Sequence, residues 1–306
     1  DENSFLGGKM KLDREATIQT IKTHLADPLG ISPEEAAWGV HETVTANMAQ
    51  AATIHAIERG LDATRFAMLP IGGAGPVHAC SMAKKIGITR MVCPAGAGVA
   101  SAIGMLAAAI SFELGRAAPC ELALLDFDHA ASLLNGMSDE ASALIISAGA
   151  EKNEVTQHFS VMMRYLGQGY EIEVPVTLEI IENKDREGVL ERFSEAYRER
   201  YGRSEDMPAE LLSWRLAVTG PRSTLGDTLG QQKHETKPTP VPRNHRPVWF
   251  DNGYVETPVY KRKDFAVGSH IDGPAIIEEK ESTLVLPIGF KLDVDVAHNL
   301  ILETIA

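Results

Sequence analysis

The sequence predicts an α/β protein that continues into a region rich in short β-strands, and three patterns support this fold class. Between residues 66 and 110, short apolar segments alternate with helical segments, and glycine-rich turns separate them. Residues 158–176 alternate apolar and polar side chains around a central LGQG turn. After residue 246, short strand-like segments and turns alternate to the end of the sequence. The first pattern is typical of α/β domains, and the other two are typical of hairpins and small β domains.

The N-terminal segment is predicted to be helical. Residues 14–28 repeat apolar side chains with helical spacing. A second helix is predicted to begin after Ser32, because Ser32 and Glu35 have capping-box spacing and Pro33 occupies the first helical position. This alanine-rich segment contains no further proline, and Gly60 is predicted to end it. Its length indicates a helix that crosses a whole domain.

Two strand–turn–helix units follow the long helix. The first consists of a buried strand at 66–71 and a helix at 76–87. The second consists of a strand at 89–94, a glycine-rich turn at 95–98 and a helix at 99–110. Because strands of one open α/β sheet bind ligands at their carboxyl ends, we expect the glycine turns of both units to face one cleft.

The rest of the chain predicts a mixed region and then a β region. Its predicted elements are a helix at 128–149, a hairpin at 158–176, a helix at about 186–201, a strand at 213–220 and a polar, proline-rich loop at 225–246. We therefore predict three parts. Residues 1–120 form the α/β part, residues 121–224 form an α+β region, and residues 247–306 form a small β domain after a linker at 225–246.

The composition restricts the class of protein. Hydrophobic residues make up 44% and charged residues 23%, as in ordinary soluble domains. No apolar segment reaches the roughly 20 residues of a membrane helix, and a net charge of −13 argues against nucleic acid as a partner. The cysteines Cys80, Cys93 and Cys120 lack CxxC spacing, which favours a reduced, cytoplasmic setting. The acidic start without an initiator methionine predicts a fragment or a processed chain, with no signal peptide.

The segment GGAG, residues 72–75, is the first candidate site. Gly72, Gly73 and Gly75 leave the backbone open to close approach, and they precede the predicted helix. Backbone amides at a helix N-terminus form an anion site suited to phosphate. The segment is neither a Walker P-loop nor GxGxxG. Its spacing is equally compatible with a tight packing turn between a strand and a helix, and the sequence alone leaves both interpretations open.

His78 is the second candidate, because it lies near the start of the predicted helix. It is suited to be a metal ligand, a general acid or a phosphate contact, whereas a single helical histidine is more often only packed or solvated. Cys80 and Cys93 are better explained as core residues than as nucleophiles. Zinc and hydrolase signatures such as HExxH and GxSxG are absent from the sequence.

Two further polar groups have simple structural explanations. Arg164 and Glu171 lie on opposite sides of the predicted hairpin turn, so we expect a cross-strand charge pair. Glu278, Glu279 and Glu281 form an acidic cluster beside a predicted strand. We interpret this cluster as a solvated strand edge, and a metal or substrate site is the alternative.

Residues 71–106, IGGAGPVHACSMAKKIGITRMVCPAGAGVASAIGML, closely resemble the signature of the hydantoinase A/oxoprolinase family, which usually reads FGGAGPLHA and later GVLSAxG. The segments FLGGKMKLD, NMAQAATIHAIERGLD, RYLGQGYEIEVP and GPAIIEEKESTLVLPIG match the family in the same order, so the resemblance covers essentially the whole chain. The departures are Ile71 for Phe, Val77 for Leu and Ala100 for Leu.

The resemblance implies part of an actin-like (ribonuclease H-like) ATPase lobe followed by an α+β or mostly β C-terminal domain. It assigns Gly72, Gly73, Ala74 and Gly75 to a nucleotide loop and makes His78 the candidate catalytic residue. ATP and Mg²⁺ are the implied cofactors. The family's DxGGTxTD phosphate motif, which supplies the magnesium carboxylates, has no match in this sequence. The resemblance therefore implies the C-terminal part of a larger subunit, with little ATPase activity when isolated.

The implied function is ATP-dependent hydrolysis of a cyclic amide, as in hydantoinases and 5-oxoprolinases, through phosphorylation of the carbonyl oxygen. A subunit of an ATP-dependent acetone- or acetophenone-type carboxylase is the alternative enzyme. A non-catalytic platform for a second subunit is the alternative outside enzymes. In each case the resemblance implies a cytoplasmic oligomer with a second, B-type subunit and with no membrane partner.

Overall fold

The computed structural model describes residues 2, 5–221, 240–251 and 253–305, and these form two compact units. The first unit combines residues 1–106 with residues 225–306, and the second consists of residues 107–224. The first thus joins the predicted glycine-turn region to the C-terminal strands. Most of the predicted linker, residues 225–239, lies outside the described residues.

Helices dominate the beginning of the chain, and strands dominate its end. The helices are α1 (Arg14–Ile21), α2 (Asp27–Leu29), α3 (Pro33–Glu58), α4 (Gly75–Ile86), α5 (Ala100–Ala107), α6 (Phe127–Ser147), α7 (Leu178–Glu182) and α8 (Arg186–Tyr201). The strands are β1 (Arg90–Cys93), β2 (Ser111–Glu121), β3 (Thr156–Tyr165), β4 (Ile172–Val176), β5 (Ala209–Thr219), β6 (Asn244–Phe250), β7 (Gly253–Lys261), β8 (His270–Asp272), β9 (Ala275–Glu278), β10 (Thr283–Leu286), β11 (Phe290–Val294) and β12 (Leu300–Thr304). The predicted mixture of helices and sheets is confirmed.

The predicted start of the long helix α3 is confirmed in atomic detail. The Ser32 hydroxyl accepts a hydrogen bond from the Glu35 amide, and the Glu35 carboxylate accepts one from the Ser32 amide. These reciprocal bonds satisfy two amides that a helix N-terminus would otherwise leave unpaired. The helix ends at Glu58, and Gly60 follows with φ of +68°. Capping at both ends therefore sets the length of α3. Helix α4 packs against this helix.

Two four-stranded sheets build the first unit. One has the order β1-β12-β11-β8 and is antiparallel throughout, so a strand near the glycine turns pairs with the last strand of the chain. The other has the order β10-β9-β7-β6, in which β7 and β9 are parallel. A common core joins both sheets to α4; its members include Ala79, Ala83, Met91, Cys93, Tyr260, Ile277, Leu284, Leu292 and Leu302.

The predicted strand at 66–71 is wrong in extent. Met68 forms only an isolated parallel bridge with Met91, while Leu69 and Ile71 are exposed. Pro70 has no amide to donate to a ladder, and the glycine turn begins two residues later. The predicted loop at 225–246 is also too long, because β6 begins at Asn244.

The second unit contains one antiparallel sheet with the order β2-β5-β3-β4, and helices α6 and α8 pack against it. Its core is centred on large buried side chains, which are Leu134, Met163, Tyr165, Phe193, Trp214 and Leu216. The predicted hairpin is confirmed by the antiparallel pairing of β3 with β4. The expected pair between Arg164 and Glu171 is wrong, because Arg164 lies opposite Glu210 in the β3–β5 register and contacts that carboxylate at 2.8 Å.

Candidate functional site

The two glycine turns of the first unit lie side by side. Gly72 has φ of +89°, and its amide donates a hydrogen bond to the carbonyl of Ala97 at 2.8 Å. Helix α4 begins at Gly75, with Ala74 as its N-cap residue. The bond between the turns confirms that they meet at one place. The candidate loop at 72–75 thus leads directly into the N-terminus of a 12-residue helix.

Two amides of this loop are available to a ligand. Gly73 and Ala74 are exposed, and their amides donate to no acceptor within the described part of the chain. They lie at the positive end of the α4 dipole, which favours anions. A Cβ atom at Gly72 would meet nothing within 4 Å, so the space beside it is open. The loop therefore fits a phosphate-bearing ligand in its donors and in its free space.

A different glycine serves packing. A Cβ atom at Gly98 would lie 2.6 Å from the carbonyl oxygen of Glu281, and one at Gly73 would lie 3.4 Å from the same oxygen. The turn between β9 and β10, residues 279–282, thus lies against both glycine turns. Packing against Glu281 explains the glycine at position 98. The open space beside Gly72 and the amides of Gly73 and Ala74 support a ligand site instead.

We expect Gly98→Ala to destabilise the protein by about 1–3 kcal/mol, because the new methyl group would overlap backbone that must then shift. Gly104→Ala is the matched control, since Gly104 lies in α5 with nothing within 4 Å of its Cβ position. The control should be neutral or stabilising by up to about 1 kcal/mol. Urea denaturation of both variants measures the difference, and equal stabilities would contradict the packing role of Gly98.

The β9–β10 turn is anchored by a buried arginine. Arg262 donates to the Glu279 carboxylate at 3.0 Å and to the carbonyl oxygens of Cys93 and His298 at 3.0 and 2.9 Å. Burial raises the pKa of Glu279, and the Arg262 charge opposes this shift. Glu278 pairs with Arg246 at 2.8 Å. The acidic cluster is therefore not the solvated edge that the sequence suggests, because two of its carboxylates have arginine partners.

His78 belongs to a row of stacked rings between α3 and α4. Its ring stacks on His41 with centroids 4.6 Å apart, and His41 stacks on Trp38 at 5.0 Å. The Nδ1 atom of His78 lies 3.0 Å from the Thr45 hydroxyl, which is fully buried. Burial lowers the pKa of His78, and burial together with His78 lowers the pKa of His41. Both rings are thereby favoured in the neutral form.

A cavity of about 540 Å³ has His41 in its lining. Trp38, Trp249 and Tyr254 contribute aromatic side chains to its lining. The charged lining residues are Glu34, Glu42, Lys84, Lys85 and Asp251. The Nε1 atom of Trp249 is buried and has no hydrogen-bond partner among the described residues. The volume lies within the range of about 300–1,000 Å³ that is usual for small-molecule sites. The cavity thus has the size of a small-molecule site, and its lining is partly aromatic and partly charged.

The sequence identified the loop and His78 but not their supports. Trp38, His41 and Thr45 follow one another at spacings of three and four residues, which places them on one face of α3. That spacing was a detectable signal for a shared face, although nothing in it points to His78. Cys80 and Cys93 are buried, and burial raises the pKa of both thiols, which agrees with a core role.

The described ranges contain neither a metal-type cluster nor a membrane-spanning helix. No group of three or more His, Cys, Asp or Glu side chains there is arranged to hold a metal ion. Every helix in the same ranges is too short or too polar to cross a lipid bilayer.

Comparison with known families identifies both parts of the chain. The sequence model of the hydantoinase/oxoprolinase family matches residues 1–114, and that of the hydantoinase/oxoprolinase C-terminal domain matches residues 131–304. Each match agrees with the resemblance carried by residues 71–106.

Individual relatives extend along nearly the whole chain. Caprolactamase subunit alpha of Pseudomonas jessenii is 28% identical over 96% of this chain and 43% of its own length. Acetone carboxylase beta subunit of Xanthobacter autotrophicus is 27% identical over 97% of this chain and 43% of its own. Both are named as subunits of their enzymes. The chain therefore spans less than half the length of these relatives.

Two solved structures resemble the fold. Nucleotide-free acetone carboxylase has a TM-score of 0.76 at 24% identity, over 99% of this chain and 44% of that one. The ATP-dependent caprolactamase of Pseudomonas jessenii has a TM-score of 0.73 at 27% identity, over 98% of this chain and 44% of that one. The architecture is thus a fold already known from ATP-dependent enzymes.

Proposed function

Since the chain belongs to the hydantoinase/oxoprolinase family, we propose that it forms part of an ATP-dependent enzyme that hydrolyses a cyclic amide. The open amides of Gly73 and Ala74 at the N-terminus of α4 carry this proposal, because they form a phosphate-type site beside His78. The relation to the caprolactamase subunit, which extends over 96% of this chain, supports the same substrate class.

The residues of the glycine loop fit a nucleotide. Gly72 gives close access, Gly73 and Ala74 present amides, and Gly75 opens the helix whose dipole favours the phosphates. ATP supplies the phosphoryl group that activates the amide carbonyl toward water, a chemistry in which positioning and charge stabilisation dominate. We assign the carboxylates that hold Mg²⁺ to the part of the relatives' length that this chain does not span. The nucleotide-binding part proposed for residues 1–120 then lies in the portion up to residue 106, which belongs to the first unit.

We assign the substrate ring to the aromatic cavity. A cyclic amide combines an apolar ring with polar amide atoms, and the cavity lining likewise combines aromatic side chains with charged ones. His41 lines the cavity and stacks on His78, so one ring connects the cavity to the candidate histidine. In this arrangement the chain's own groups orient the ring, exclude water from its apolar face and place His78 within the same unit.

A carboxylase is the second candidate, and the 27% identity to an acetone carboxylase subunit favours it. A non-catalytic platform for a second subunit is the third, because the relatives are named as subunits. In every case the second subunit, a soluble cytoplasmic setting and the oligomeric state belong to the proposal.

The test compares ATP turnover by the longest gene product that contains this chain, co-expressed with the proposed second subunit. We expect turnover to rise with ε-caprolactam or 5-oxoproline and not with acetone plus bicarbonate. Trp249→Phe, which replaces the indole of the cavity wall by a smaller single ring, should raise KM for the lactam, whereas Trp214→Phe in the other unit should not. Turnover that depends on ketone and bicarbonate would establish the carboxylase instead, and absence of turnover with every substrate would favour the platform.

A further inference from the structure

The contact between Thr45 and His78 determines where the imidazole carries its proton. The Thr45 hydroxyl donates its single hydrogen to the carbonyl oxygen of His41, 2.8 Å away and one helical turn earlier. The same hydroxyl oxygen lies 3.0 Å from Nδ1 of His78. Since a hydroxyl has one hydrogen and that hydrogen is already donated, the oxygen accepts in the second contact. Nδ1 of His78 is therefore the protonated nitrogen.

Burial lowers the pKa of His78 and so favours its neutral form, and the neighbouring residues hold its ring in place. Thr45 is completely buried within the α3–α4 interface, so water does not compete for its hydroxyl. The imidazole of His41 lies nearly parallel to that of His78, at an interplanar angle of 15°. The charged groups that face His41 are Glu42 and Lys85, which pair with each other at 2.8 Å. With Nδ1 protonated and the ring neutral, the lone pair lies on Nε2.

We propose that Thr45 is a positioning residue that holds His78 in the Nδ1-protonated tautomer, so that Nε2 accepts a proton from the reacting water. This inference rests on the proposed function for its catalytic meaning, whereas the tautomer follows from the contacts alone. The proton leaves the water oxygen for Nε2, the electron pair of that O–H bond stays on the oxygen, and the ring becomes an imidazolium. The oxygen then attacks the activated carbonyl carbon, and the new C–O bond forms as the π electron pair between that carbon and the amide nitrogen moves onto the nitrogen.

The assignment decides among the roles that the sequence left open. A neutral ring with its proton directed at Thr45 has no N–H to present to a phosphate. Nor does it have a proton at Nε2 to give as a general acid. His78 acts from Nε2 as a base, and Thr45 supports it as the third group supports the base in hydrolytic triads.

Long-range ¹H–¹⁵N NMR of the imidazole rings tests the tautomer in the 306-residue chain without substrate. The His78 signals are identified by their loss in His78→Gln. We expect Nδ1 to have the chemical shift of a protonated nitrogen and Nε2 that of an unprotonated one. Thr45→Val, which keeps the shape but removes the acceptor, should shift the population toward the Nε2-protonated form. Thr45→Ser, which restores the hydroxyl, should return the wild-type spectrum.

Each result bears on the inference. An Nε2-protonated wild-type ring overturns it, and so does a Thr45→Val spectrum that matches the wild type. If Thr45→Val fails to fold, the wild-type tautomer and Thr45→Ser still decide the question. In the active enzyme, Thr45→Val should lower kcat about 10–100-fold with little change in KM. A correct tautomer with no effect of His78→Gln on turnover would refute the catalytic role of His78 but leave the tautomer assignment intact.

Discussion

Arg262→Met is expected to lower the free energy of unfolding by about 3–5 kcal/mol, the loss typical of a buried ion pair that is left with one partner. The side chain of Arg262 is only 11% exposed, and that of Glu279 is 13% exposed. Removal of the guanidinium leaves the Glu279 carboxylate and the carbonyls of Cys93 and His298 without these donors. Because a domain is stable by only about 5–15 kcal/mol, the loss is a large fraction of the total.

The matched control is Arg90→Met. Arg90 also pairs with a glutamate, Glu303, but at 3.7 Å and with 59% of its side chain exposed. Exposed pairs contribute less than about 1 kcal/mol. Chemical denaturation of both variants gives the comparison. If Arg262→Met were no less stable than Arg90→Met, the buried pair would not anchor the β9–β10 turn.

The same variant has a pH signature whose sign follows from Glu279. Burial raises the pKa of this carboxyl, and Arg262 lowers it again. In Arg262→Met burial and the nearby Glu281 charge remain, and both raise the pKa of Glu279, so the folded-state pKa is further above the unfolded value. A carboxyl with a raised folded pKa contributes stability at acidic pH that is lost as pH rises through the folded pKa. The deficit of the variant should therefore be smaller in mildly acidic buffer and grow toward neutral pH.

Ala74→Asp is expected to weaken nucleotide binding at least tenfold, which corresponds to about 1.4 kcal/mol. Ala74 is the exposed N-cap residue of α4 and makes no side-chain capping bond. A carboxylate at this position would repel a phosphate and compete for the amides of Gly73 and Ala74. The same charge stabilises a helix N-terminus by about 0.3–1 kcal/mol, so the fold should not be weakened. Ala74→Asn, which is equal in size but neutral, is the control.

Features defined by neighbouring residues were predictable from the sequence. The Ser32–Glu35 capping box identified the start of α3 because both partners lie within one helical turn. A charged helix was predicted at about 186–201, and α8 has these bounds, with Gly202 ending it at φ of +76°. The β3–β4 hairpin followed from alternation around its turn. In each case the deciding contact spans only a few residues.

Features defined by distant residues were not predictable in this way. Residues 66–71 have the composition of a strand, but among the described residues only Met68 of this segment pairs with a strand residue, Met91. Glu279 looked solvated because Arg262, which pairs with it, is brought near only by the pairing of β7 with β9. The role of Thr45 depends on His78, which is 33 residues away and on another helix.

The candidate site also combines a feature that the sequence predicts with one that depends on distant residues. The GGAG segment was recognisable as a close-approach turn at a helix N-terminus, and the structure places its amides there. The sequence could not separate the ligand and packing interpretations, because the distinction depends on Glu281. That residue lies against Gly98 and leaves Gly72 open. Glycine content indicates close approach of some partner, whereas the tertiary structure determines which partner it is.

Calorimetric titration of Mg·ADP tests most directly whether the 72–75 loop binds nucleotide. The titration uses the longest gene product that contains this chain, together with its Ala74→Asp and Ala74→Asn variants. Thermal unfolding first shows that the three proteins are equally stable. The proposal predicts that the wild type and Ala74→Asn bind with similar affinity and that Ala74→Asp binds at least about tenfold more weakly. Equal affinity of all three proteins, or no binding by the wild type, would contradict the nucleotide assignment and leave the glycines of this loop as a packing turn.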